Sequence, residues 1–274
     1  MIGRLVGPGA CKIWFALALA GLVLASCSPQ PLSVTREPTT LKLAAAASCE
    51  ALIREAGARY ETDHPWVTVT TEVLNNRLTE ETLRGGRADI GLLSWRPAAE
   101  AGEDELWSEP FAGDTIAVIV NPDSPIREIG LGQLQEIYRG HLQESEGVVL
   151  TVVSREPGSG TRAAFEHIVL DGGETSLNAV VVPSAEDMVD YVAETPTAVG
   201  YVSTRSLTDR VRVLPVDGIL PDVEGAGGGP YPISRAFYLA CAGEPTGEAR
   251  QFAQWLLRGG AEVAAVDGDA AEGP

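Results

Sequence analysis

The sequence predicts a mixed α/β fold. Short apolar runs rich in valine, isoleucine and leucine alternate with segments whose apolar residues recur every three or four positions, the patterns of strands and of amphipathic helices. Glycine and proline mark many of the breaks between them. This alternation predicts parallel strands with right-handed crossovers, and 274 residues suffice for one large or two medium domains with a real core.

The first half of the predicted fold opens with an apolar strand at Leu41–Ala46. Ser48 is a suitable N-cap for the helix that follows through Tyr60, because its hydroxyl can accept a hydrogen bond from a first-turn amide. Val67–Val73 alternates as a half-buried strand does. The remaining elements of this half are a helix closed by two glycines at Thr79–Gly86, strands at Asp89–Leu93 and Thr115–Val120, and a helix at Leu131–Tyr138.

The second half repeats the alternation. Val148–Val153 is a nearly continuous β-branched run, typical of a strand buried on both faces, and a helix follows from Ser159–Thr161. The later predicted elements are strands at Ala179–Val182, Ala198–Ser203, Val211–Val216 and Ala236–Ala240, helices at Ala185–Ala193 and Gly247–Leu257, a loop at Gly225–Gly229 and a disordered tail at 267–274.

The turn after Val148–Val153 is the strongest candidate site. Pro157–Gly160 ends the strand, and the helix begins at once. A helix N-terminus offers free amides and the positive end of the helix dipole, while Ser159 and Thr161 add hydroxyl donors and Arg155 lies just upstream. This combination suits an oxyanion.

Other interpretations of this turn stay open. Serine and glycine before a helix are also ordinary capping residues. The glycines of the turn, with Ala163, fit the spacing of a dinucleotide fingerprint, although a four-residue connector separates them from the strand. A secreted hydrolase would use Ser159 with His167 or His141, but the turn lacks the nucleophile-elbow pattern.

Composition limits the partners. The formal net charge is −18, so the chain repels nucleic acid and anionic surfaces, and an anion site must depend on local donors. Cys49 and Cys241 are the cysteines of the predicted fold and a possible disulfide pair outside the cytoplasm. The three histidines have no metal-binding spacing, so we predict neither a metal nor another cofactor.

The first 40 residues are predicted to lie outside the fold. Residues 1–26 contain Arg4 and Lys12 before an apolar run, the pattern of a secretory signal, although an ordinary signal peptide or a short membrane anchor are alternatives. The tetrad Leu-Ala-Ser-Cys that ends at Cys27 resembles the lipobox of bacterial lipoproteins, which implies a lipidated cysteine. Residues 27–40 are predicted to be a flexible tether.

Several segments resemble, in order, the phosphate-binding substrate-binding proteins of ABC importers. The sequence SREPGSGT at Ser154–Thr161 is similar to the signature loop of that family. Supporting segments are IAVIVNP at Ile116–Pro122, LGQLQEIYRG at Leu131–Gly140, AVGYV at Ala198–Val202, Asp217-Gly218 and YPISRAFYL at Tyr231–Leu239. The resemblance covers about Leu41–Val266. It implies a class II periplasmic-binding-protein fold, the Venus flytrap, in which two hinge strands join lobe I (41–116 and 235–266) to lobe II (117–234).

The resemblance also implies a ligand site shared by both lobes. In the second lobe, Arg155 is expected to contact the anion in a bidentate manner, while Ser159, Gly160 and Thr161 donate hydroxyl or amide hydrogens. The first lobe matches less well, because the Gly-Ser that normally precedes its hydroxyl residue is replaced by two alanines. The candidates there are Ser48, Cys49, Asn75, Asn76 and Ser94.

The implied function is that of an extracytoplasmic binding protein, anchored to the bacterial cell membrane by lipidated Cys27. It is expected to be a monomer and not an enzyme, and to capture inorganic phosphate for an ABC permease. Around Ser94, where some family members carry an aspartate that accepts a proton from the ligand, there is no acid, and Arg96 is either a substitute donor or a surface ion-pair residue. The alternatives are therefore a receptor for sulfate, molybdate or tungstate, and a degenerate anion sensor or protein-binding member without transport.

Overall fold

A computed structural model describes residues 36–97, 105–221 and 231–265, with side chains through residue 259. The predicted signal segment, Cys27, most of the tether, the loop at 225–229 and the tail at 267–274 lie outside the described residues. Within the described part, no helix combines the length and the apolar character that crossing a membrane requires.

The strands and helices alternate along the described chain. The strands are β1 (Thr39–Ala46), β2 (Val67–Leu74), β3 (Ile90–Leu93), β4 (Leu106–Val120), β5 (Glu144–Ser145), β6 (Val148–Val149), β7 (Thr151–Arg155), β8 (Val180–Val182), β9 (Ala198–Ser203), β10 (Arg212–Leu214) and β11 (Ser234–Ala242). The helices are α1 (Glu50–Asp63), α2 (Asn76–Arg84), α3 (Leu131–Tyr138), α4 (Gly160–Val169), α5 (Ala185–Glu194) and α6 (Gly247–Ala265).

The strands form one mixed sheet in the order β2-β1-β3-β11-β4-β9-β7-β8, with β10 beside β4. As predicted, strands separated by helices pair in parallel: β1 with β2 and β3, and β7 with β8 and β9. Between these two parallel groups, β4 and β11 run antiparallel to their neighbours. Residues 106–115 of β4 pair with β11 and residues 116–120 pair with β9, so this one strand passes from one group to the other.

The buried apolar residues follow the same division. In the first half, α1 and α6 pack on β1, and Ile53, Tyr60 and Phe252 lie in one fully buried cluster. In the second half, α3 and α4 cover β9, where the Phe165 and Tyr201 rings stack with centroids 4.0 Å apart. Two such cores joined by long strands are what a two-lobed α/β fold requires, and the lobe boundaries at 116/117 and 234/235 stay a prediction.

The structure corrects several predicted elements. Ser48 does not cap α1, because Ala47–Cys49 first forms a 3₁₀ turn and the N-cap is Cys49. Helix α2 begins before Thr79, since the Asn75 side chain caps it by accepting from the Leu78 amide at 2.9 Å. The predicted strand Val148–Val153 is divided: its first two residues pair with β5 in a small hairpin, where Val149 is 68% exposed.

Strand β4 begins nine residues before its predicted start at Thr115. Its first part, LWSEPFAGD, lacks a clear apolar alternation and depends on pairing with β11 instead. The suggested disulfide is also wrong, because Cys49 and Cys241 are both free and buried.

Candidate functional site

A cavity of about 370 Å³ lies at the carboxyl ends of the parallel strands. Its walls come from the residues at or just after the ends of β1, β2 and β3 on one side, and of β7, β8 and β9 on the other. The carboxyl ends of parallel strands are the usual place of ligand sites in α/β proteins, because the loops that follow them meet there. The cavity therefore brings together loops from both halves of the chain.

Eight of the nine residues predicted to bind a ligand line this cavity: Ser48, Asn75, Asn76, Ser94, Arg155, Ser159, Gly160 and Thr161. The ninth, Cys49, is not among the lining residues; it is fully buried, and burial raises the pKa of its thiol to about 12. The lining residues that the sequence interpretation missed are Glu156, Pro183, Ser184, Ala185, Ser203 and Ser206, together with apolar residues of the β1 and β2 ends. Except for Glu156, which lies inside the signature loop, these residues carried no sequence motif.

The N-terminus of α4 faces the cavity, as the sequence predicts. Ser159 is its N-cap, and its Oγ accepts from the Arg162 amide at 3.3 Å, so the hydroxyl hydrogen can point elsewhere. The amides of Gly160 and Thr161 lie in the first turn, where a helix supplies no acceptor for them. Hydroxyl and amide donors at the positive end of a helix dipole make this wall suitable for an anion.

Arg155 ends β7 beside these donors and is 7% exposed. Its Nε lies 3.1 Å from Glu156 Oε2, and its Nη2 donates to the Pro183 carbonyl at 3.0 Å. Nη2 also lies 3.4 Å from Glu156 Oε1, so Nε and both Nη2 hydrogens are committed, and a bidentate contact to an anion would need the Glu156 carboxylate to turn away. Glu156 is the acidic residue among the described lining residues.

Asn76 organises the opposite wall. Its Oδ1 accepts from the amides of Ser94 and Trp95 at 2.8 and 3.2 Å, and its Nδ2 donates to Glu80 Oε1 at 2.8 Å. Asn76 is 5% exposed, so these bonds lie away from competing water. One amide side chain therefore fixes the loop after β3 to the start of α2.

The two walls touch at Gly158 and Gly160. The Arg77 amide donates to the Gly158 carbonyl at 3.2 Å, and Gly158 has φ +98°, a backbone conformation that favours glycine. A Cβ at Gly160 would lie 2.2 Å from Ser94 Oγ. The glycines of the signature turn thus permit a close approach to the loops of the first half.

Arg96 and the histidines lie elsewhere. The Arg96 guanidinium lies 5.4 Å from the centre of the Trp95 ring and 3.1 Å from His167 Nε2, and Arg96 is not among the cavity residues. His141 Nδ1 lies 3.1 Å from Glu136 Oε2. His167 contacts Arg96 and His141 contacts Glu136, while the Ser159 Oγ accepts from an amide, so the hydrolase interpretation gains no support from this geometry.

Two α/β halves around a cavity with hydroxyl and amide donors in its wall, joined by long strands, define a binding protein of the two-lobed periplasmic type. The chain belongs to the PBP superfamily domain family, whose model matches residues 33–259.

Known proteins with related sequences or structures share this fold. The phosphate-binding protein PstS of Bacillus subtilis is 26% identical over 225 residues, which are 79% of this chain and 75% of that protein. A putative phosphate ABC transporter substrate-binding protein of Clostridium perfringens, solved with bound phosphate, superposes with a TM-score of 0.68 at 24% identity, over 79% of this chain and 92% of its own. The CcmR regulatory domain of Synechocystis, solved with 2-PG, superposes with a TM-score of 0.59 at 19% identity, over 80% of this chain and 96% of its own.

Proposed function

We propose that this chain is an extracytoplasmic binding protein that captures inorganic phosphate in the cavity and delivers it to an ABC permease. The observation that carries the proposal is the α4 N-terminus: Ser159, Gly160 and Thr161 present hydroxyl and amide donors to a cavity that Arg155 also lines. The name of the Bacillus subtilis relative supports phosphate as the ligand. Capture and release need no catalytic group.

Membrane attachment through lipidated Cys27 and a monomeric state complete the proposal. Both rest on the sequence alone, since the lipobox-like tetrad lies outside the described residues. A tether on the membrane would keep the protein near its permease without a membrane-spanning helix in the fold. Metabolic labelling with a fatty acid should mark the parent protein and not the Cys27→Ala variant.

Phosphate binding is tested by calorimetry on purified protein from which bound anion has been removed by mild denaturation and dialysis. The parent should bind phosphate, and Arg155→Ala should weaken binding at least tenfold. Arg54→Ala is a matched control, since Arg54 forms an exposed pair with Glu50 at 2.8 Å and also loses one positive charge. No binding by the parent, or equal losses in both variants, would contradict the proposal.

A receptor for another tetrahedral oxyanion is a second candidate. Glu156, the acid among the described lining residues, is paired with Arg155, so the cavity has no uncommitted carboxylate to repel a fully ionised anion. Competition of sulfate, molybdate and tungstate with phosphate in one titration distinguishes the candidates. The third alternative is a sensor without transport, and the similarity to the CcmR regulatory domain supports it. Such a sensor would bind the anion without stimulating transport in reconstituted vesicles.

A further inference from the structure

Behind the cavity lies a buried ion pair that no predicted site includes. Asp114 on β4 and Arg235 on β11 are opposite each other in the antiparallel register, and both side chains are fully buried. Arg235 Nε donates to Asp114 Oδ2 at 2.7 Å. Buried charges are costly unless they are paired and hydrogen-bonded, so the remaining bonds of this pair are informative.

Each member of the pair holds one hydroxyl of the cavity wall. Arg235 Nη1 donates to Thr161 Oγ1 at 3.1 Å, and Asp114 Oδ1 accepts from Ser203 Oγ at 2.7 Å. Thr161 and Ser203 are both lining residues and are 3% and 2% exposed. The ion pair therefore bonds two hydroxyls of the same cavity from behind.

The two hydroxyls must therefore have opposite hydrogen-bonding roles toward a ligand in the cavity. A guanidinium has donors only, so Thr161 Oγ1 is an acceptor toward Arg235, and its own hydrogen remains for the cavity. A carboxylate only accepts hydrogen bonds, so Ser203 donates its hydroxyl hydrogen to Asp114. The Ser203 oxygen therefore remains an acceptor. The Arg205 amide uses one lone pair of Ser203 Oγ at 3.3 Å, and the second is available to a ligand.

We propose that Asp114 and Arg235 fix Thr161 as a donor and Ser203 as an acceptor, so that the site prefers a protonated tetrahedral oxyanion over a fully ionised one. An unprotonated ligand oxygen accepts from Thr161, and the ligand's own O–H donates to Ser203. This inference rests on the proposed anion capture and deepens it. Hydrogen phosphate has the required proton and sulfate lacks it, so Ser203 is a specificity-determining residue and the ion pair positions both hydroxyls.

Titrations with inorganic phosphate and with sulfate near pH 8 test the inference, because both are then mostly tetrahedral dianions that differ by one proton. Ser203→Ala should weaken the binding of phosphate about tenfold and change the binding of sulfate by less than about twofold. The ratio of phosphate affinity to sulfate affinity should therefore fall. Thr161→Val should weaken both anions by similar factors and leave the ratio unchanged. Ser203→Thr keeps the hydroxyl and should keep the parent ratio.

Ser206→Ala is the matched control. Ser206 also lines the cavity, but the hydroxyls that Asp114 and Arg235 hold are those of Ser203 and Thr161, so loss of the Ser206 hydroxyl should not change the ratio. A general loss of folding in a variant would lower both affinities together and would show in the melting temperature.

Each outcome has one meaning. A parent that binds neither anion refutes anion capture and this inference together. A parent that binds both equally, or a Ser203→Ala variant that keeps the parent ratio, refutes the assigned polarity and leaves anion capture standing. If Ser203→Ala does not fold, the ratio of phosphate affinity to sulfate affinity in the parent protein alone tests the assigned polarity.

Discussion

Replacing Gly160 by alanine tests whether close approach of the two walls is needed for binding. The added Cβ would lie 2.2 Å from Ser94 Oγ and 2.8 Å from Asn76 Oδ1. The serine hydroxyl can rotate away, but Asn76 is held by the Ser94 and Trp95 amides and by Glu80. The walls must therefore separate by about 0.5–1 Å to reach an ordinary van der Waals distance.

Such a separation moves the donors of one wall away from an anion held by the other. Losing one hydrogen bond to a charged group costs about 1.5–3 kcal/mol, so phosphate affinity should fall roughly ten- to a hundredfold. The helix itself should not suffer, because Gly160 is the first residue of α4 and alanine is the better helix former. The free energy of unfolding should nevertheless fall by about 1–3 kcal/mol, because the added methyl group overpacks the contact between the two walls.

Calorimetry gives the affinity, and chemical denaturation gives the stability. Gly132→Ala is the matched control, since Gly132 lies in the first turn of α3 and an added Cβ meets nothing within 4 Å. It should bind phosphate as the parent does. Parent-like affinity in Gly160→Ala would refute the argument that the walls must touch, and an equal loss in Gly132→Ala would show that any added methyl group disturbs the fold.

Glu156, Asn76 and Cys49 give three further predictions. Glu156→Gln removes a negative charge from the wall and releases Arg155, so calorimetry should show about tenfold tighter binding of phosphate and sulfate alike; unchanged binding would mean that Glu156 does not compete for the guanidinium. Asn76→Leu leaves the buried Ser94 amide and the partly buried Trp95 amide without their acceptor and should lower the free energy of unfolding in denaturant by about 2–4 kcal/mol, whereas a loss below about 1 kcal/mol would contradict its organising role. Burial raises the pKa of the Cys49 thiol from 9.0 to about 12, so between these values the unfolded chain releases a proton that the folded chain keeps, and stability should fall as pH rises through this range. Cys49→Ala should make that fall shallower, and an identical pH profile would contradict the assignment.

Local patterns predicted the parallel strands and the start of helix α4. The run before Arg155 and the Pro-Gly-Ser-Gly turn carry both a strand end and a helix start in the sequence, and the structure has Ser159 as the N-cap. The strand β9 and the helix α3 have their predicted bounds, because each is a strongly patterned run between turn residues.

The features that local patterns did not predict depend on contacts between distant parts of the chain. Asn76 was predicted as a ligand residue by resemblance, yet its bonds to Ser94 and Trp95 join loops 18 and 19 residues apart, which no local pattern reveals. Val149 was expected inside a buried strand, but it pairs with β5 in the small hairpin. A β-branched run predicts a strand and does not show which sheet that strand joins. Glu156 was read only as part of the signature loop, since its pairing with Arg155 depends on how the loop turns.

The sequence interpretation did not include Asp114 and Arg235 in any site, and this has a physical cause. Asp114 and Arg235 each lie one residue outside a predicted strand, at the ends of apolar runs, where a charged residue normally marks a solvated turn. They are buried because β4 and β11 extend past those runs and pair across the middle of the sheet. The hydrogen-bond directions of Thr161 and Ser203 are thus set by strands that join the two halves, and not by the first-half loops around Ser48 and Asn75. Changes in those loops should therefore alter how tightly an anion is held more than which protonation state is preferred, so the Ser203→Ala ratio is a sharper measure of the ligand class than any first-half substitution.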